Sequence, residues 1–154
     1  MKIGIILFSS TGHTLMAAEK LQVSLSGKRH QVKLIPLEPI GKLNPTMEQV
    51  ALKCIPDVSK FDMLVLASPV NGGRISAPMA SFLDASSSLK GKKVILMATH
   101  LFPYAWGCRQ MFQSLRAHHA LSESNIIGDG DVMWLGINRV RRIDNMIEHL
   151  STLL

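Results

Sequence analysis

The segment Ser9-Ser10-Thr11-Gly12-His13-Thr14 places four hydroxyl side chains around one glycine. It lies between an apolar run, Lys2 to Phe8, and a stretch in which Leu15, Ala18, Leu21 and Leu25 recur at intervals of three and four. A loop that leaves a buried strand and opens a helix aims several backbone N–H groups at one point, and phosphate is the group that suits such a point. Hydrogen bonds to a charged group contribute roughly 1.5–3 kcal/mol each, and the positive end of the helix dipole adds about 0.3–1 kcal/mol. The loop offers no cation apart from His13 when protonated. Capping a helix needs one hydroxyl, and four in six positions point to a ligand. The G-K-[ST] of a P-loop and the G-x-G-x-x-G of a dinucleotide fingerprint are both absent, and the loop has no cysteine to serve as a phosphatase nucleophile.

Two further loops have unusual composition. Ser68-Pro69-Val70-Asn71-Gly72-Gly73-Arg74 contains an Asn-Gly pair that tolerates positive φ, and its simplest reading is a tight turn. Thr99-His100-Leu101-Phe102-Pro103-Tyr104-Ala105-Trp106-Gly107 holds three of the eight aromatic residues within five positions. Core packing accounts for one or two of these, and a ring stacked on a planar ligand for another. The remaining candidates are weaker. Adjacent histidines, His118 and His119, point apart on a helix and make poor joint metal ligands, so no metal site is expected. Asp129-Gly130-Asp131 reads as a turn or bend near the last strand, and Arg139, Arg141 and Arg142 as a basic face on the first turns of the last helix.

The elements that must position these loops alternate in type. Strands are expected at Lys2 to Phe8, Gln31 to Pro36, Met63 to Ala67, Val94 to Ala98 and Ile126 to Leu135, most of them continuous apolar runs of the kind covered on both faces. The first helix follows Gly12 and stops at Gly27. A second opens on the box Thr46-Met47-Glu48-Gln49 and ends before Pro56. A third has Ser76 as N-cap, Pro78 in its first turn and Phe82 and Leu83 inward. The fourth buries Cys108, Met111, Phe112 and Leu115, and the last carries Ile137, Val140, Ile143, Ile147, Leu150 and Leu154 at helical spacing. Five alternating pairs predict a single α/β domain over residues 1–154: a doubly wound three-layer sandwich with a five-stranded parallel sheet of order 2-1-3-4-5. In such a sheet ligands sit beyond the carboxyl ends of the strands at the point where the winding reverses, which is where the three unusual loops gather.

Composition bounds the partners. The chain has 154 residues, 47% hydrophobic and 18% charged, a globular balance for one domain. A net charge of +6 raises nucleic acid or an anionic membrane, but the basic residues are scattered and aromatic residues too few to interleave with them, so neither is expected. The N-terminal apolar run is too short for a signal peptide and no stretch is long enough to span a membrane. Cys54 and Cys108 have no metal-ligand spacing and read as reduced thiols, which predicts a cytoplasmic protein.

The first loop resembles the [ST]-x-T-G-x-T signature of the flavodoxin family, with Ser9, Thr11, Gly12 and Thr14 matching and His13 in the variable position. Phe61 to Val70 is similar to the family's third strand and flavin loop, and Ile127-Gly128-Asp129-Gly130 to the fifth strand of its short-chain members. The resemblance implies a flavodoxin-like fold and flavin mononucleotide (FMN) as cofactor. It assigns the phosphate to Ser9, Ser10, Thr11, Gly12, His13 and Thr14, and the ring to Pro69, Val70, Asn71, Gly72 and Gly73 together with Thr99, His100, Phe102, Tyr104, Trp106 and Gly107. In that assignment Gly72 supplies the peptide that bonds the reduced flavin N5, and Tyr104 or Trp106 stacks on the ring. No side chain is then required as a catalytic acid or base. Two departures stand out: Asn71 occupies a position where many relatives have an aromatic ring, and flavodoxins are usually strongly acidic. The expected function is an FMN-binding electron carrier, monomeric or weakly dimeric, with redox partners whose surfaces are acidic. An FMN-dependent NAD(P)H or quinone oxidoreductase is the alternative, and an interaction module that has lost its flavin the third reading.

Overall fold

The computed structural model describes residues 1–86 and 89–154. Its elements in chain order are β1 (Lys2–Leu7), α1 (His13–Gly27), β2 (Gln31–Pro36), β3 (Met63–Asn71), β4 (Arg74–Ile75), α2 (Ala77–Ala85), β5 (Lys93–His100), α3 (Cys108–Ala117), a 3₁₀ turn (His119–Leu121), β6 (Asn125–Met133) and α4 (Arg139–Thr152). The five long strands run parallel in the order β2-β1-β3-β5-β6, which is the expected 2-1-3-4-5 arrangement. The two-residue β4 is an addition that pairs antiparallel with the end of β3.

Alternation along the strands divides the core in two. Ile3, Ile5, Met63, Val65, Ile95 and Met97 face α1 and α4, whereas Ile6, Leu64, Leu66, Val94 and Leu96 face α2 and α3. Both faces are covered, which is why these strands read as unbroken apolar runs. Pairing of Leu7 with Ala67 and of Pro69 with Thr99 brings the carboxyl ends of β1, β3 and β5 to one edge, and the three loops with them.

Several local expectations are corrected. There is no helix after Thr46: Asn44 Oδ1 accepts from both the N–H and the hydroxyl of Thr46, so the capping box does not form. Glu48 turns instead to Arg74, and an antiparallel bridge joins Pro39 to Leu52. Gly27 is the last residue of α1 rather than its stop, and the chain reverses two residues later at Arg29, with φ +66°. Leu15 is exposed, as are Ile137 and Val140; α4 starts after Ile137 and buries Ile143, Met146, Ile147 and Leu150. Asp129-Gly130-Asp131 is strand rather than turn, the irregularity lying just before it, where Val94 pairs with Ile126 and Ile95 with Gly128. Ser76 is at the N-cap of α2, but its hydroxyl accepts from Ser68 at 2.8 Å instead of capping.

Candidate flavin site

The loop from Ser9 to Thr14 is folded by its own first hydroxyl. Ser9 Oγ accepts from the N–H groups of Gly12 (3.1 Å) and Leu15 (3.2 Å), and Gly12 has the left-handed φ of +88° that this turn requires. The N–H groups of Ser10, Thr11, His13 and Thr14 donate to no protein group among the described residues. Four orphan donors at the start of a 15-residue helix, beside the exposed hydroxyls of Ser10 and Thr11, fit a phosphate. Thr14 does not aim its hydroxyl there; the side chain is buried, and Oγ1 meets Thr99 Oγ1 at 2.7 Å.

The loops converge on a cleft of about 140 Å³ lined by Ser10, Thr11, His13, Pro69, Val70, Asn71, Thr99, His100 and Leu101. Ligand pockets commonly hold roughly 300–1,000 Å³, so a flavin seated here keeps part of its ring outside. Behind the cleft, Gly72 (φ +56°) and Gly73 (φ +82°) form the two-residue hairpin between β3 and β4, stacked on the third loop. A Cβ at Gly107 would come within 2.9 Å of Gly73 N, so the two backbones touch because neither carries a side chain there.

The aromatic residues expected to cover the ring lie elsewhere. Phe102, Tyr104 and Trp106 are exposed and do not line the cleft: Phe102 and Trp106 tilt together at 6.5 Å, while Tyr104 leans on Phe112 at 6.4 Å. Trp134 was not anticipated. Buried just after β6, its indole stacks under His13 at 4.3 Å and receives the Arg139 guanidinium at 5.3 Å, and the Trp134 backbone N–H donates to the His100 carbonyl. A lone aromatic residue ending the last strand was the signal available for it.

His100 forms one wall of the cleft and also faces a larger cavity of about 660 Å³ between β6 and α4, bounded by Tyr104, Asp131, Arg142 and His149 among others. Its Nε2 lies 2.7 Å from Asp131 Oδ2, and Nδ1 donates to the Phe102 carbonyl. Partial desolvation where it lines the larger cavity pushes the Tyr104 phenol up, and burial, with help from Asp131 and Asp129, pushes the Cys108 thiol up to about 12. His118 and His119 do not point apart: α3 ends at Ala117, and the rings stack at 4.4 Å with His118 bonded to Asp84.

Residues 1–133 match the NADPH-dependent FMN reductase family. The chain belongs to that family. Within it, FMN is the expected cofactor, and the orphan donors of the phosphate loop fit its phosphate; the chain is an FMN-binding redox protein with a flavodoxin-like fold. An NAD(P)H dehydrogenase (quinone) from Paraburkholderia phymatum is 30% identical over 95 residues, which cover 57% of this chain and 48% of the relative. The chain thus spans about half the length of that curated relative. Among solved structures, oxidised flavodoxin 2 from Bacillus cereus superposes with a TM-score of 0.68 at 19% identity over 100% of both chains. Two-electron reduced Megasphaera elsdenii flavodoxin gives 0.65 at 18% identity, over 97% of this chain and 98% of its own. At these identities the structural likeness speaks for the fold. No helix among the described residues is long and apolar enough to cross a membrane.

Proposed function

We propose that this FMN reductase family member is an FMN-dependent oxidoreductase that takes a hydride from NADPH or NADH and passes the electrons to a quinone. The observation that carries the proposal is the composition of the cleft wall: it contains no Phe, Tyr or Trp, and Asn71 stands where a covering ring would be. A flat substrate can approach a flavin face that no protein ring occupies. FMN supplies the redox chemistry when bound, and the protein supplies binding, orientation and charge. The phosphate loop anchors one end, and the Gly72-Gly73 hairpin, braced by Gly107, holds the second loop against the third. The names of the family and of the curated relative support the same reading. Both cysteines are free and Cys54 is exposed, which suits a reducing cytoplasm.

Electron transfer to and from a protein partner is the second reading, supported by the exposed apolar side chains of Phe102, Trp106 and Ile137 and by the exposed Arg139 and Arg141. Exposed apolar and basic side chains suit a partner with an acidic surface. Anaerobic mixing of the FMN-loaded protein with NADPH or NADH separates the two. Bleaching of the flavin by the nucleotide alone, followed by return of colour on adding a quinone, is expected for the enzyme. A flavin that stays oxidised until a separate reductase is supplied overturns the enzyme reading in favour of the carrier.

A further inference from the structure

Two sets of three metal-ligating side chains come together among the described residues: Asp84 with His118 and His119, and His100 with Cys108 and Asp131. The ligand atoms of each set lie within 4.8 Å of one another. The hydrogen bonds of the histidines tell the sets apart. A histidine that ligates through one ring nitrogen carries its proton on the other, which donates to a carbonyl, a carboxylate or water. His118 fails this requirement. Its Nδ1 accepts from the Ala120 N–H, so it cannot hold the proton while Nε2 offers a lone pair on the Asp84 side. His100 meets it. Its Nδ1 donates to the Phe102 carbonyl, which leaves Nε2 as the ligating atom, 2.7 Å from Asp131 Oδ2.

We propose that His100 Nε2, Cys108 Sγ and an Asp131 carboxylate oxygen bind one Zn²⁺, with a water from the larger cavity as fourth ligand. The site stands on these residues alone and does not depend on what the flavin reduces. Each ligand comes from a different element: His100 ends β5, Cys108 opens α3 and Asp131 lies in β6. His100 and Cys108 are buried, whereas the Asp131 side chain is 32% exposed. His100 and Asp131 both line the larger cavity, so an ion and its water enter from that side. A tetrahedral ion with bonds of roughly 2.0–2.3 Å holds its ligands about 3.3–3.8 Å apart, so Asp131 has to draw back from His100 by about 0.6 Å and the rest of the set to close in by up to about 1 Å.

An imidazole, a thiolate and a carboxylate form a mixed nitrogen, sulfur and oxygen set, which suits Zn²⁺ and not Ca²⁺ or Mg²⁺, whose ligands are oxygen. Without an ion the Cys108 thiol keeps its proton, raised by burial and by the charges of Asp131 and Asp129. Those same carboxylates attract a cation, and the charge of a bound ion deprotonates a coordinated thiol outright. Binding replaces the S–H bond by an S–Zn bond, and the proton leaves to solvent together with any that Nε2 holds. The basic groups nearby are engaged elsewhere, Arg116 by Asp129 and Arg142 by the Leu135 carbonyl. An ion here ties α3 and the third loop to β6, and with them the wall of the flavin cleft that His100 forms.

Co²⁺ titrated into FMN-loaded, EDTA-treated wild type reads the site directly. One Co²⁺ per chain is expected, with tetrahedral d–d bands to the red of the oxidised flavin and a sulfur-to-cobalt charge-transfer band, and an equivalent of Zn²⁺ should bleach both. Cys108→Ser should abolish the charge-transfer band. Asp131→Ala should weaken Co²⁺ binding by roughly 10²-fold or more, at least the cost of losing an outer-shell partner. Cys54→Ser and His118→Gln should leave the spectrum and the affinity unchanged. If Cys108→Ser does not fold, cadmium-113 NMR of the wild type takes its place: the shift should be that of a site with a single sulfur ligand, and a shift without sulfur overturns the proposal. So does wild type that gives no tetrahedral Co²⁺ spectrum, or a spectrum that Cys54→Ser or His118→Gln removes and Asp131→Ala keeps.

Discussion

Thr14 Oγ1 and Thr99 Oγ1 meet at 2.7 Å in the interior, joining the first turn of α1 to the end of β5. One hydroxyl donates and the other accepts, so removing either leaves a buried polar group unpaired, at a cost of about 1–3 kcal/mol. Thr99→Val is expected to lower the free energy of unfolding by that amount and to weaken FMN binding through the displaced first loop. Thr14→Val/Thr99→Val should cost less than the sum of the single changes, because both polar partners are gone. Urea denaturation of the three variants checks this, and strict additivity would contradict the pairing.

Gly107 has φ +128° and lies against Gly73, so alanine there meets backbone rather than a side chain that can move aside. Gly107→Ala should destabilise the fold by roughly 1–3 kcal/mol and separate the second loop from the third. FMN affinity by fluorescence quenching should drop with it. Gly27→Ala, at an exposed position with open space around it and no positive φ, is the matched control and should leave both quantities unharmed.

Trp134 supports the phosphate loop through His13. Aromatic pairs add about 0.5–1.5 kcal/mol beyond their buried area, so Trp134→Leu should weaken FMN binding by about 2- to 10-fold. His13→Ala should do the same, and the double variant should be little worse than either single one. Isothermal titration with FMN measures all three, and independent, multiplying losses would show that the stack does not transmit support to the loop.

The Cys108 thiol is raised to about 12 from an ordinary value of 9.0, mainly by burial. The folded state therefore holds its proton where the unfolded chain has lost it. Its contribution to stability is complete below pH 9 and declines as pH rises toward 12. Relative to Cys108→Ala, the wild type should lose stability across that window in chemical denaturation at graded pH. At pH 8, iodoacetamide should add one group to the native protein, at the exposed Cys54, and a second only after unfolding. Two native adducts would show that Cys108 is accessible.

Which parts of this could be read in advance follows from how local their causes are. The strands were visible because a strand buried on both faces must be apolar at every position, as Ile5-Ile6 and Leu64-Val65-Leu66 are. The loop from Ser9 to Thr14 was visible because its hydroxyls, its glycine and the helix it opens are consecutive in sequence. The expected helix after Thr46 failed because Asn44, two residues upstream, competes for the same donors, and because Glu48 has an ion-pair partner in Arg74 that sequence does not bring near.

The sequence by itself determined the α/β class, the strand order and the loop whose free donors fit a phosphate, since periodicity, chain connectivity and consecutive donors are properties of neighbours along the chain. Only the tertiary structure decided what surrounds that loop. It turned the aromatic cluster from Phe102 to Trp106 away from the cleft, put Trp134 beneath His13, and set Asp131 against His100 from 31 residues away. Those contacts depend on the register between β5 and β6, where a single irregular step beside Ile95 sets which side chains face one another. Register is settled by packing across the sheet, and no local stretch of the chain encodes it.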